Sequence, residues 1–216
     1  MNRADEISHK LELVRSKIAN VADHEVTLIA VTKTFPASDA QTLHDLGVRD
    51  FGENRAAEGA EKSAIVSGTW HFQGQIQSNK LKSITSWASV LHSLADPRHF
   101  EIIEKVAPHP LQIFLQVSLD GQRGGAGVDD LYSLAALVEN SPTHTLAGLM
   151  SVPPLGLDPN EGFAQLAVIH KEFMKLFPAA KSLSAGMSGD YESAISHGAT
   201  HVRVGSSILG SRSPHR

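Results

Sequence analysis

Cysteine is absent from the 216 residues. That excludes a disulfide framework, a thiol nucleophile and a thiolate metal site. Histidine is plentiful, with 12 copies, but no HExxH spacing and no Cys/His cluster gathers them into a metal signature. No apolar run approaches the ~20 residues of a membrane span. The leading stretch 1–25 is charged throughout and lacks an apolar h-region, so it does not read as a secretory signal. An excess of either charge sign is missing too. The 19 basic and 23 acidic residues give a net charge of -4. No global field attracts nucleic acid or an anionic membrane, and the basic residues do not interleave with aromatics as a single-strand platform requires. The expectation is a cytoplasmic protein with no nucleic-acid and no membrane partner, and a monomer rather than a dimer.

Hydrophobic residues make up 41% and charged residues 19%, an ordinary globular balance. The length suits one α/β barrel, and no repeat or interdomain linker divides residues 1–216, which read as a single domain. Ile7, Leu11, Val14, Ile18 and Val21 recur at helical spacing over 4–22. A β-branched apolar run, 26–32, follows and reads as a buried strand. Strand-like runs recur at 48–52, 69–73, 90–94, 111–117, 146–151, 182–184 and 201–205, which makes eight. Helix-capable segments lie between them. Asp96 and Pro97 open one as N-cap and first residue, and 129–139, 161–176 and 189–197 are others. Alternation of this kind predicts a (β/α)8 TIM barrel with an extra N-terminal helix. An open, doubly wound sheet is the competing arrangement.

In a barrel, chemistry sits where strands end. Lys33 stands just past the apolar run Leu28–Val31, with Thr32 between, so partial desolvation would favour its neutral, nucleophilic amine and Schiff-base chemistry. The alternative is a rim lysine paired with a carboxylate such as Glu53, and position alone favours it. After the seventh strand, the segment 184–190 combines Gly186, Met187, Ser188 and Gly189. After the eighth come Gly205, Ser206 and Ser207. Glycine for close approach, hydroxyls and free N–H groups at a helix start suit a phosphate dianion. Plain N-capping by Ser188, Asp190 or Ser206 accounts for the same residues. Polar residues also project from other strand ends, among them Glu53, Asn54, Arg55, His71, His92, Ser151 and Arg203. The glycine-rich loop 121–127 lacks the spacing of a dinucleotide or P-loop fingerprint.

The blocks 30–33 (AVTK), 51–54 (FGEN), 70–80 (WHFQGQIQSNK), 148–150 (GLM), 183–190 (LSAGMSGD) and 194–210 run in the order of a known family. Over nearly its whole length the chain resembles the pyridoxal phosphate homeostasis proteins. The resemblance implies an alanine racemase N-terminal barrel with a leading helix. It implies pyridoxal 5′-phosphate (PLP) held as a Schiff base on Lys33, with phosphate around Gly186, Met187, Ser188, Gly205 and Ser206. It places Arg203 at the pyridine nitrogen and Asn54 and His71 near the cofactor. A guanidinium there disfavours ring protonation and weakens the electron sink. The chain departs from the family pattern at four points. Phe35 stands where many relatives carry a second lysine, so a lysine-to-lysine hand-over of PLP is not expected. Ala185 replaces a common methionine, Arg123 a common lysine, and Ser206-Ser207 the more frequent Thr-Ala.

Three functions follow for comparison. A PLP carrier would bind the cofactor reversibly and hand it to apo-enzymes, with no robust turnover of its own. A racemase would need a second base opposite Lys33. Alanine racemases bring theirs, a tyrosine, from a further β domain, whereas Tyr132 and Tyr191 here fall in expected helices. A phosphometabolite enzyme would keep the phosphate loops and use Lys33 as a simple cation.

Overall fold

Asn2 starts the first helix through a reciprocal capping box: its side chain accepts from Asp5 N (2.9 Å), and Asp5 accepts from Asn2 N (3.2 Å). Helix α1 (Arg3–Val21) then buries Ile7, Leu11, Val14 and Ile18 on one face. The structure is a computed structural model describing residues 2–121, 124–154 and 156–211. Eight strands follow α1: β1 (Thr27–Val31), β2 (Asp50–Glu53), β3 (Thr69–Phe72), β4 (Val90–Leu94), β5 (Gln112–Gln116), β6 (Thr145–Met150), β7 (Ser182–Met187) and β8 (His201–Val204). The helices between and after them are α2 (Ala37–Asp45), α3 (Ala56–Ser63), α4 (Leu81–Thr85), α5 (Pro97–Val106), α6 (Val128–Glu139), α7 (Pro159–Leu176), α8 (Tyr191–Ser196) and α9 (Ser206–Leu209).

All neighbouring strands pair in parallel, and β1 pairs with β8 from Thr27↔His201 to Ala30↔Val204. That closure excludes the open sheet. Two strand boundaries differ from the sequence reading by more than one residue. β2 starts at Asp50, not Val48, because Gly47 in the left-handed region (φ 85°) turns Val48 N–H back to Leu43 O at the end of α2. β7 runs on to Met187, past Ser184. Its register with β8 shifts between those two residues, around Gly186 (φ 88°). The helices α2, α3, α4 and α9, none of them delimited from sequence, complete the units.

Side chains facing outward from the barrel pack under the helices. Phe72, Leu91, Ile113, Leu115, Leu149 and Leu183 belong to one apolar cluster. Phe51, Trp70, Val202 and Val204 join α1 in another. Each large side chain so buried contributes ~1.5–3 kcal/mol. The inward-facing set is different. Ile29, Val90, Phe114 and Met150 share the interior with His71, His92, Ser184 and Arg203, all buried. Barrel interiors are usually filled by branched apolar residues, so this polar column needs its own account. Arg123 lies outside the described residues.

Candidate functional site

A cavity of about 630 Å³ opens at the C-terminal ends of the strands. Lys33, Asn54 and Arg203 border it, as do Met187 and Ser188 after β7 and Gly205 and Ser206 after β8. Phe35 and Gln73 complete one wall. Two expected residues stand apart from the lining. His71 lies deeper in the barrel, and Gly186 packs against α8, where a Cβ would sit 2.8 Å from Tyr191 Cα. Tyr191 is buried in α8, and Tyr132 lies in α6.

The backbone on both sides of Lys33 is clamped by residues of β2 and α3. Thr32 Oγ1 donates to Glu53 Oε1 (2.6 Å), and Thr32 O accepts from Lys62 Nζ (2.8 Å). Lys62 Nζ also donates to Glu53 Oε1 (2.6 Å). Glu53 is fully buried and Lys62 nearly so. The ion-pair partner of Glu53 is therefore Lys62, whereas the rim-lysine reading gave that carboxylate to Lys33. Burial pushes the Glu53 carboxyl up, and the bonds from Lys62 and Thr32 only partly offset this. On the far side, Thr34 N donates to Glu58 Oε2 (2.7 Å). Burial alone would raise Glu58, but Thr34 N–H, Arg55 and Lys62 together draw it below its ordinary value. Thr34 adopts φ 69°, a left-handed conformation costly for a β-branched residue. Glu58 thus holds a strained residue immediately after Lys33. Sequence reasoning missed Lys62 and Glu58, since AAEGAEKS reads as an ordinary surface helix.

Opposite Lys33 in the chain order, the β7 and β8 loops are cross-linked. Ser188 Oγ accepts from Gly205 N (3.1 Å) and Ser207 N (3.3 Å), and Ser207 Oγ donates to Ser188 O (3.0 Å). Ser188 thereby caps α9 from the neighbouring loop. The Met187 amide is committed to Asp190 Oδ1 (2.6 Å). Gly205 allows β8 to end against β1, because a Cβ there would stand 3.0 Å from Val31 O.

Arg203 projects inward from β8 to the cavity floor and is 5% exposed. One terminal nitrogen donates to Ser184 Oγ (2.7 Å), the other to Ser151 O (3.1 Å). Burial pulls its pKa down to about 10, so it stays cationic near neutrality. A lysine, a buried guanidinium and a hydroxyl-and-amide cluster thus share one cavity. Together they suit a flat, anionic ligand carrying a carbonyl.

Comparison with known proteins bears on this arrangement. Residues 3–213 match the family model of the alanine racemase N-terminal domain. The pyridoxal phosphate homeostasis protein of Mycobacterium leprae is 37% identical, with 97% of this chain and 94% of that one covered. The Escherichia coli protein of that name is 33% identical over 96% of this chain and 97% of its own. Among solved structures, PipY of Synechococcus elongatus with PLP bound superposes with a TM-score of 0.86 at 31% identity, covering 94% of this chain and all of PipY. Alanine racemase from Corynebacterium glutamicum shares the fold, with a TM-score of 0.77 at 13% identity over 97% of this chain and 62% of the enzyme. The chain belongs to the alanine racemase N-terminal domain family, and within it to the pyridoxal phosphate homeostasis proteins.

Proposed function

We propose that this chain binds PLP on Lys33 and serves intracellular PLP homeostasis, holding the cofactor and giving it up to apo-enzymes. The observation that carries this reading is that Lys33, Arg203 and the cross-linked Ser188 and Gly205–Ser206 loops border a single cavity. When bound, PLP supplies an aldehyde that a lysine amine takes up as a Schiff base with loss of water, and a pyridine ring that withdraws electrons. Lys33 presents its amine from a backbone clamped on both sides. The Gly205 and Ser207 amides, which now meet the Ser188 hydroxyl, are the donors a phosphate oxygen would use, with Ser188 and Ser206 as further partners. Arg203 would face the pyridine nitrogen as a fixed cation and keep it unprotonated. Asn54 is placed to contact the ring.

Two features favour holding over turnover. A permanently cationic Arg203 weakens the ring as an electron sink. Among the described residues that line the cavity, Lys33 is the one side chain able to act as a base, because no carboxylate, imidazole or phenol borders it. Two-base racemisation has no second partner there.

The test is the absorption spectrum of the purified protein with PLP, before and after borohydride, followed by peptide mapping. We expect a visible band that is lost in Lys33→Ala, and a reduced pyridoxyl group on the Lys33 peptide. Label scattered over surface lysines, or no band, would refute the reading. Transfer of PLP to an apo-enzyme without deuterium uptake at an amino-acid Cα would separate carrier from racemase.

A further inference from the structure

The polar column inside the barrel is continuous. Arg203 on β8 donates to Ser184 Oγ on β7 (2.7 Å), and Ser184 Oγ meets His92 Nδ1 on β4 (2.9 Å). His92 Nε2 meets His71 Nδ1 on β3 (2.8 Å), and His71 Nε2 meets Asp50 Oδ1 on β2 (3.1 Å). Five strands supply one group each. Arg203 borders the cavity at the C-terminal mouth. Asp50 is the first residue of β2, at the opposite end of the barrel, and its side chain is 29% exposed.

The two ends dictate the direction of every bond between them. A guanidinium only donates and a carboxylate only accepts. With both imidazoles neutral, His71 carries its proton on Nε2 for Asp50, so its Nδ1 must accept. His92 therefore carries its proton on Nε2 as well, and its Nδ1 accepts. The Ser184 hydroxyl donates to that nitrogen and turns a lone pair to Arg203. One assignment satisfies every donor. It also aligns every dipole, with negative ends toward Arg203 and positive ends toward Asp50. Burial, and next the neighbouring His71, Arg203 and His201, hold His92 well below the ordinary imidazole range, in keeping with a neutral ring. Stacking against Phe114, at 4.4 Å and 10°, fixes the plane of His92.

We propose that Asp50, His71, His92 and Ser184 form a polarised relay through the barrel that positions Arg203 and compensates its charge where the cofactor ring lies. These four are positioning residues that act on PLP through Arg203. The proposal rests on the PLP reading for its consequence, and on the apo protein for its geometry. It explains why a barrel of this size gives its interior to histidine and arginine rather than to branched apolar residues. It also gives His71 a place in the site without contact to the cavity.

The experiment has two arms. In the apo protein labelled with ¹⁵N, long-range imidazole correlations report which ring nitrogen holds the proton. We expect His71 and His92 both as the Nε2–H tautomer at neutral pH. In the second arm, Asp50→Asn keeps an acceptor but removes the charge. It should weaken PLP binding about fivefold, roughly what a hydrogen bond loses when its acceptor gives up its charge, and shift the visible absorption maximum of the bound cofactor. Glu172→Gln removes the same charge from the exposed face of α7 and should change neither. His92→Phe interrupts the relay outright and should weaken binding further. If that buried substitution prevents folding, Asp50→Asn still decides. An Nδ1–H tautomer or a protonated ring at either histidine would overturn the relay, as would wild-type affinity and spectrum in Asp50→Asn. A wild-type protein that fails to bind PLP would instead sink the functional reading, and the tautomers alone would then decide the relay.

Discussion

Lys62→Met tests the buried pair that supports Lys33. Lys62 Nζ reaches Glu53 Oε1 at 2.6 Å and Thr32 O at 2.8 Å, with side-chain exposures of 5% for Lys62 and 0% for Glu53. The second carboxylate oxygen of Glu53 is buried without a hydrogen-bond partner. Removing the lysine strands a carboxylate in the protein interior and frees Thr32 O. Breaking a buried pair in this way costs about 3–5 kcal/mol, a large share of the ~5–15 kcal/mol that holds a domain together. In urea, with a slope of about 2 kcal/mol/M, the midpoint should fall by ~1.5–2.5 M. The pH dependence carries a definite sign. Glu53 is raised in the folded protein, so its protonated form is favoured by folding. Without Lys62 it rises further. The deficit of Lys62→Met should therefore be full above the folded-state titration of Glu53 and fade as pH falls through it. Glu53→Leu combined with Lys62→Met removes both charges and should recover most of the loss. Urea curves at several pH values measure all three proteins. A loss under ~1 kcal/mol at neutral pH, or a double variant no more stable than the single one, would refute the argument.

Other expectations follow from single residues. Thr34→Gly relieves the left-handed strain at φ 69° and deletes a buried, unpartnered hydroxyl, so thermal melting should show a gain of about 1 kcal/mol. Gly148→Ala should give little folded protein, as judged by circular dichroism, because at φ 151° an added Cβ collides with Ser182 O on the neighbouring strand. His201 is held neutral, chiefly by burial, down to about 4, while an unfolded imidazole titrates near 6.5. The native state thus binds fewer protons, and stability that is intact above about pH 6.5 should drain by ~1–3 kcal/mol as pH falls toward 4. His201→Leu should flatten that slope in urea titrations.

The parts of the site written along the chain were legible, and the parts written across the barrel were not. Lys33 stands two residues past the end of an apolar strand, and Ser188 and Gly205–Ser206 follow the last two, so adjacency in sequence brought them to the mouth. The clamp on Lys33 depends on which face of α3 meets β2, and no local pattern distinguishes Lys62 from a solvated helix lysine. The sequence reading ends β7 at Ser184, since Ala185 and Gly186 are weak strand formers, yet pairing with β8 carries the strand on to Met187. The relay is the most instructive case. Phe51, Trp70, Phe72, Leu91, Leu183 and Val202 point outward to the helices, so the polar neighbours alternating with them must point inward. Asp50, His71, His92, Ser184 and Arg203 each stand beside such an apolar residue. Period-two alternation therefore carried the signal, but only for a closed parallel barrel, in which both faces of every strand are buried and the apolar side belongs to the helices. In an open, doubly wound sheet helices cover both faces, so the same polar positions would have met a helix layer instead of one another. The relay could be read only after the barrel was known to close, which is why pairing of β1 with β8 is the observation on which the inner polar chemistry depends.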